Sequence, residues 1–119
     1  MNDSILITIK KLLGLTEDQT EFDTDIIIYI NSTFSKLYRL GVGTSYVFSI
    51  QDEYAIWGDF IEEDDRINDV KNYIYLKVKL IFDPPLSSSV LSAMERQIKE
   101  LEWDLNVTSE LNESITEEA

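Results

Sequence analysis

The densest chemistry-bearing stretch of the chain is Asp52–Asp65, which holds seven acids and no base and interleaves them with Tyr54, Ile56, Trp57, Phe60 and Ile61. Clustered carboxylates are the usual ligands of calcium and magnesium. A twelve-residue calcium loop, however, needs alternating oxygen ligands, a glycine at its sixth position and a glutamate at its twelfth. Counted from Asp59, an aspartate stands where that glycine is required, so the stretch reads as a solvated acidic face over an apolar one. Gly41-Val42-Gly43 lacks the third glycine, the preceding strand and the following lysine of a phosphate-binding loop, and reads as a helix stop. Pairs of carboxylates suited to glycoside hydrolysis arise by number alone in so acidic a chain, and nothing marks one acid as buried beside another.

The remaining catalytic routes narrow quickly. There is no histidine and no cysteine among the 119 residues. That removes the commonest neutral-pH base and metal ligand, together with thiolate zinc sites, disulfides and cysteine nucleophiles. Serines are plentiful, but without histidine or a Gly-x-Ser-x-Gly turn the usual triad is closed, and Ser87, Ser88 and Ser89 read as helix caps. Trp57 and Trp103 read as packing or interface aromatics rather than parts of a substrate pocket. No enzyme, cofactor or metal site is therefore expected.

What must position these residues is a single folded domain of about the common size. A hydrophobic share of 44% excludes wholesale disorder. No apolar run reaches the ~20 residues of a membrane span, and Met1-Asn2-Asp3-Ser4 does not open like a signal peptide, so a soluble, non-exported protein is expected. Ten basic and 23 acidic residues give a net charge of −13, which opposes ordinary gripping of nucleic acid. The charge is uneven: −2 over residues 1–40, −7 over 41–65, +2 over 66–94 and −6 over 95–119.

Periodicity places the elements. Asp3-Ser4 offers caps to a short helix with Ile5, Ile9, Leu12 and Leu13 on one face, ended by Gly14. Asp23 or Thr24 caps a second, carrying Ile27, Ile30, Phe34 and Leu37 and closed by Gly41. Residues 41–50 change to an irregular loop with strand character, and the acidic stretch suits a short helix or two. Residues 66–82 are the strongest core candidate, with Ile67, Val70, Ile74, Val78 and Ile81 in one stripe and Tyr73, Leu76 and Leu80 in another, until Asp83-Pro84-Pro85 forbids continuation. Leu91, Met94, Ile98, Leu101 and Leu105 then repeat three, four, three, four along a last helix. The expected fold is mostly α: a small bundle of four to five helices over residues 1–107, with a flexible acidic C-terminal tail over 108–119.

In this order the segments resemble a known family. Leu6–Leu15, Asp25-Ile26-Ile27-Ile28-Tyr29-Ile30-Asn31 and Gly41-Val42-Gly43 resemble the opening of the tailed-bacteriophage head-to-tail connector proteins. Asp69–Pro85 and Ile98–Asn106, with their Phe-Asp-Pro-Pro break and Glu-Leu-Glu-Trp helix, resemble the family's closing helices. The resemblance spans roughly residues 5–107. It implies a structural neck adaptor of the virion, made in the host bacterial cytoplasm. Such an adaptor joins the portal protein, forms a closed ring that is twelve-fold in the virion, extends the DNA channel and offers a platform to the next neck, stopper or tail protein.

That role gives the acids and the tail expected jobs. A wall of Asp59, Glu62, Glu63, Asp64 and Asp65 facing the channel would repel duplex DNA and let it pass without specific binding, provided the acids lie within the ~8 Å over which the field survives physiological salt. The two-striped helix and the tryptophans would supply contacts between ring subunits. Trp103, Leu105, Val107, Leu111 and Ile115 are the candidates for docking on the portal, continuing the helical seam onto it. The alternative is an acidic binding module, a DNA mimic or inhibitor that occupies a basic groove; it would bind with steep salt dependence.

Overall fold

The computed structural model describes residues 2–62 and 65–118, with side chains described to Ser109. Five helices follow one another: α1 (Ile5–Leu12), α2 (Asp23–Arg39), α3 (Trp57–Phe60), α4 (Ile67–Phe82) and α5 (Ser88–Glu118). The mostly helical bundle expected from the periodicity is the observed fold.

α4 sits at the centre, with α1, α2 and α5 all packed on it. Its two apolar stripes explain the position: Val70, Tyr73, Ile74, Leu76 and Val78 are buried on different sides of the helix, so the helix needs partners all round. The stripes expected to serve neighbouring subunits are therefore taken up within the chain, and only Ile81 at the C-terminal end stays largely outside. Asp83 ends the helix before the prolines, and its carboxylate accepts a hydrogen bond from Lys79 at 2.6 Å.

α2 runs antiparallel to α4, bringing Phe22 edge-on against Phe82 at 5.3 Å between ring centroids. α5 returns along α4 in the opposite sense, so Tyr73 meets Glu102 and Arg66 meets Ser109. Met94, Ile98 and Leu105 are buried along this seam and Leu101 packs against it, as the heptad-like spacing predicts.

Of the two expected N-caps, one forms and the other does not. Ser4 does cap α1, its Oγ accepting from Ile7 N at 3.2 Å. α2, by contrast, has Phe22 at its N-cap with no side-chain cap, and Asp23 is the first helical residue. The Asp23 carboxylate is engaged instead by the Lys10 ammonium at 2.9 Å. Lys10 is 2% exposed and also donates to the Glu17 carbonyl oxygen at 3.2 Å. A charged link thus fastens the end of α1 to the start of α2.

The strand character of residues 41–50 does not mature into a sheet; among the described residues the one β-type pairing is an isolated bridge between Ser4 and Ile56. A side chain replaces the missing strand. Asn31 Nδ2 donates to Ile50 O at 2.9 Å, while Ile50 N donates to Asn31 Oδ1 at 2.7 Å. Both backbone groups of a buried residue are thereby satisfied without a neighbouring strand.

α5 is the longest element, 31 residues or about 46 Å at the usual rise, against a molecular length of 48 Å. The helix crosses the 107/108 boundary without a break. Packing also continues past it, because Ser109 is buried and accepts a hydrogen bond from Arg66.

Candidate functional site

The acidic candidates lie around α3 and the turn that follows it. Asp59, Glu62 and Asp65 are exposed, while Glu63 and Asp64 lie outside the described residues. Asp59 has a structural task as well, its Oδ2 accepting from Ile56 N at 3.1 Å and capping α3. Gly43, Thr44, Gly58, Asp59, Glu62 and Arg66 line a shallow cleft here. Among the described residues no group of three or more carboxylates is placed to hold a metal ion.

Beneath this acidic edge the chain is anchored by aromatic packing. Phe34, Phe48 and Phe60 form a cluster with centroid separations of 4.6 to 5.3 Å. Gly43 lies directly against the Phe60 ring at φ +96°, and a Cβ there would overlap the ring. Trp57 is fully buried, its Nε1 donating to Thr8 Oγ1 at 3.1 Å and its ring facing Lys71 Nζ at 5.4 Å. Trp57 is therefore an internal aromatic, whereas Trp103 is 68% exposed.

The docking candidates separate in the same way. Leu105 is 1% exposed and belongs to the core between α4 and α5. Val107 is half-buried beside it. The side chains of Leu111 and Ile115 lie outside the described residues, on the part of α5 beyond Ser109. The spacing already separates Trp103 from Leu105, because Leu105 continues the seam of Leu91, Met94, Ile98 and Leu101 while Trp103 falls off it.

Besides the contact of Asn106 Nδ2 with Leu40 O at 3.4 Å, side-chain hydrogen bonds to Arg66 and Tyr73 hold α5 on the body. Arg66 Nη1 donates to Ser109 Oγ at 2.7 Å, and Ser109 Oγ donates to Leu105 O at 2.9 Å. Tyr73 OH donates to Glu102 Oε2 at 2.7 Å. Burial first, and then the hydrogen bond to Glu102 and its negative charge, push Tyr73's ionisation well above its ordinary value of 10.0. Native Tyr73 thus stays protonated where the unfolded phenol ionises. Its contribution to stability is complete below pH 10 and is lost as pH rises above it, at up to about 1.4 kcal/mol per pH unit. Tyr73→Phe should flatten that alkaline decline in urea-unfolding curves collected from pH 8 to 11.

Exposed large apolar side chains are numerous for so small a body. Phe22, Ile81, Leu86 and Val90 gather at the end where α4 turns into α5, and Tyr46, Val47 and Tyr54 project from the loops. No described helix is long and apolar enough to cross a membrane.

A helical body with large apolar groups turned outward at the end where α4 meets α5 suits contact with other proteins. The comparison with known families agrees: the phage connector protein family matches residues 5–112. The chain belongs to that family, and membership makes it a structural phage component that works with other head and tail proteins. No curated protein and no solved structure matches the chain.

Proposed function

We propose that this protein is a head-to-tail connector of a tailed phage, an adaptor that forms a ring below the portal, extends the DNA channel and presents a platform to the next neck or tail protein. The observation that carries the reading is the family match over residues 5–112, nearly the whole described fold. The exposed apolar groups support it, since a subunit with neighbours on several sides needs more than one contact surface. Twelve-fold symmetry belongs to the proposal and follows from the resemblance alone.

In this reading Asp59, Glu62 and Asp65, with Glu63 and Asp64 of the same segment, face the passage. Their carboxylates repel the phosphate backbone and keep DNA from sticking. The portal is engaged by α5 beyond Ser109, where Leu111 and Ile115 recur at helical spacing among acids. Val107 adjoins that segment, and Leu105 supports it from the core.

The test is electron microscopy of the protein mixed with the portal ring of its own phage. Density stacked below the portal with the portal's rotational symmetry is expected. Deletion of residues 110–119 should leave a folded domain, because the contacts to Ser109 are retained, but should abolish joining. No binding at moderate salt would overturn the connector reading in favour of an acidic module directed at a basic groove.

A further inference from the structure

Two exposed aromatic corners lie on opposite flanks of the subunit, one bordered by acids and the other by bases on one side and acids on the other. On α4, Lys71 faces Trp57, which is hydrogen-bonded to Thr8 of α1, while Tyr73 faces Glu102 of α5. Residues two apart on a helix are separated by about 200°, so α5 and the corner formed by α1 and residues 52–57 lie on opposite sides of α4. That corner is tied to α1 by Ile5 N donating to Ala55 O and Trp57 N donating to Asp3 O. At its tip Tyr54 is 79% exposed and follows Asp52 and Glu53, both exposed.

The other flank is the outward crest of α5. With Ile98 and Leu105 directed into the core, Arg96, Lys99 and Trp103 fall on the opposite side of the helix, all exposed. Glu100 and Asp104 border Trp103 on its far side. Among the described residues Arg96 and Lys99 make no ion pair, whereas Lys10, Lys11 and Lys79 are each paired.

We infer that the cationic side of the Trp103 crest receives the Asp52-Glu53-Tyr54 corner of a second copy of this chain. The occupant follows from charge. Copies carrying a net charge of −13 repel one another, so close approach favours places where acids meet unpaired bases. The placement follows from the fold, since different patches on opposite flanks make a head-to-tail contact that can repeat around a ring. Tryptophan and tyrosine supply the buried anchors such a contact needs, with the charges setting register at its rim. This inference rests on the connector reading and specifies its subunit contact; Trp103 is thereby assigned to a neighbouring copy and the segment beyond Ser109 to the portal.

The chain contains no cysteine, so an engineered pair reports without background. Glu53→Cys combined with Lys99→Cys, assembled on the portal and mildly oxidised, should give a ladder of disulfide-linked multimers. A bond within one chain is disfavoured, because α4 separates the two sites by about a helix diameter, ~10 Å, and disulfide Cα atoms lie within ~7 Å. Either single variant should stay monomeric on the gel. As a second arm, Lys99→Glu should lower ring yield at least ten-fold, and Glu53→Lys in the same chain should restore it. A ring on the portal without a ladder, or dimers from Lys99→Cys alone, would overturn the inference and leave the connector reading standing. Absence of any ring from the wild-type protein and the portal would remove both.

Discussion

Asp23→Ala is expected to destabilise the protein by about 3 kcal/mol, the lower end of the range for breaking a buried ion pair, because a quarter of the Asp23 side chain meets solvent while Lys10 is 2% exposed. The loss arises mainly from the partner left behind. An ammonium group in a closed pocket keeps, among the described residues, the Glu17 carbonyl as acceptor, and desolvating a charge without its counterion is costly. Since small domains are stable by about 5–15 kcal/mol, this is a large fraction of the total. Lys10→Met should be milder, because it removes the more deeply buried charge and the carboxylate it leaves, though buried at Oδ1, belongs to a side chain a quarter of which meets solvent. The double variant should therefore be more stable than Asp23→Ala alone, a sign reversal that a mere loss of contacts would not produce. Urea unfolding of the three variants measures it.

The second large effect is expected at Gly43. Alanine there must adopt φ +96°, which costs about 1–2 kcal/mol, and its Cβ overlaps the Phe60 ring, adding about 1–3 kcal/mol of overpacking. Gly14 provides the comparison: its φ is +87° with nothing within 4 Å of an added Cβ, so Gly14→Ala carries only the backbone cost. The difference between the two substitutions in thermal unfolding isolates the ring overlap. Phe60→Leu should relieve part of the Gly43→Ala penalty by clearing the far end of the ring. The acidic edge follows from this packing, because Phe60 stands immediately before the Ile61–Glu62 segment and joins it to Phe34 of α2.

The two effects show different degrees of legibility. Gly43 is visible in the sequence as part of a glycine turn, although its closeness to Phe60, seventeen residues on, is not. Asp23 is visible as a helix-start residue, but its carboxylate turns away from the cap to meet a lysine on another helix. Asn31 is one of several polar residues of α2, and its spacing does not set it apart. Only the approach of Ile50, nineteen residues away, makes it a substitute for a strand.

By itself the sequence determined what depends on near neighbours along the chain: the helical periods, the Ser4 cap, the stop at Asp83-Pro84-Pro85 and the heptad-like seam of α5. It also determined the strong acidity and, through the order of its segments, the family to which the chain belongs. The tertiary structure decided which apolar residues are used inside. Helical spacing shows that a stripe exists but not which other element covers it, and burial is settled by contacts between distant segments. Trp57 went to the core, while Trp103 and Tyr54 stayed outside on opposite flanks, because α4 took α1 on one side and α5 on the other.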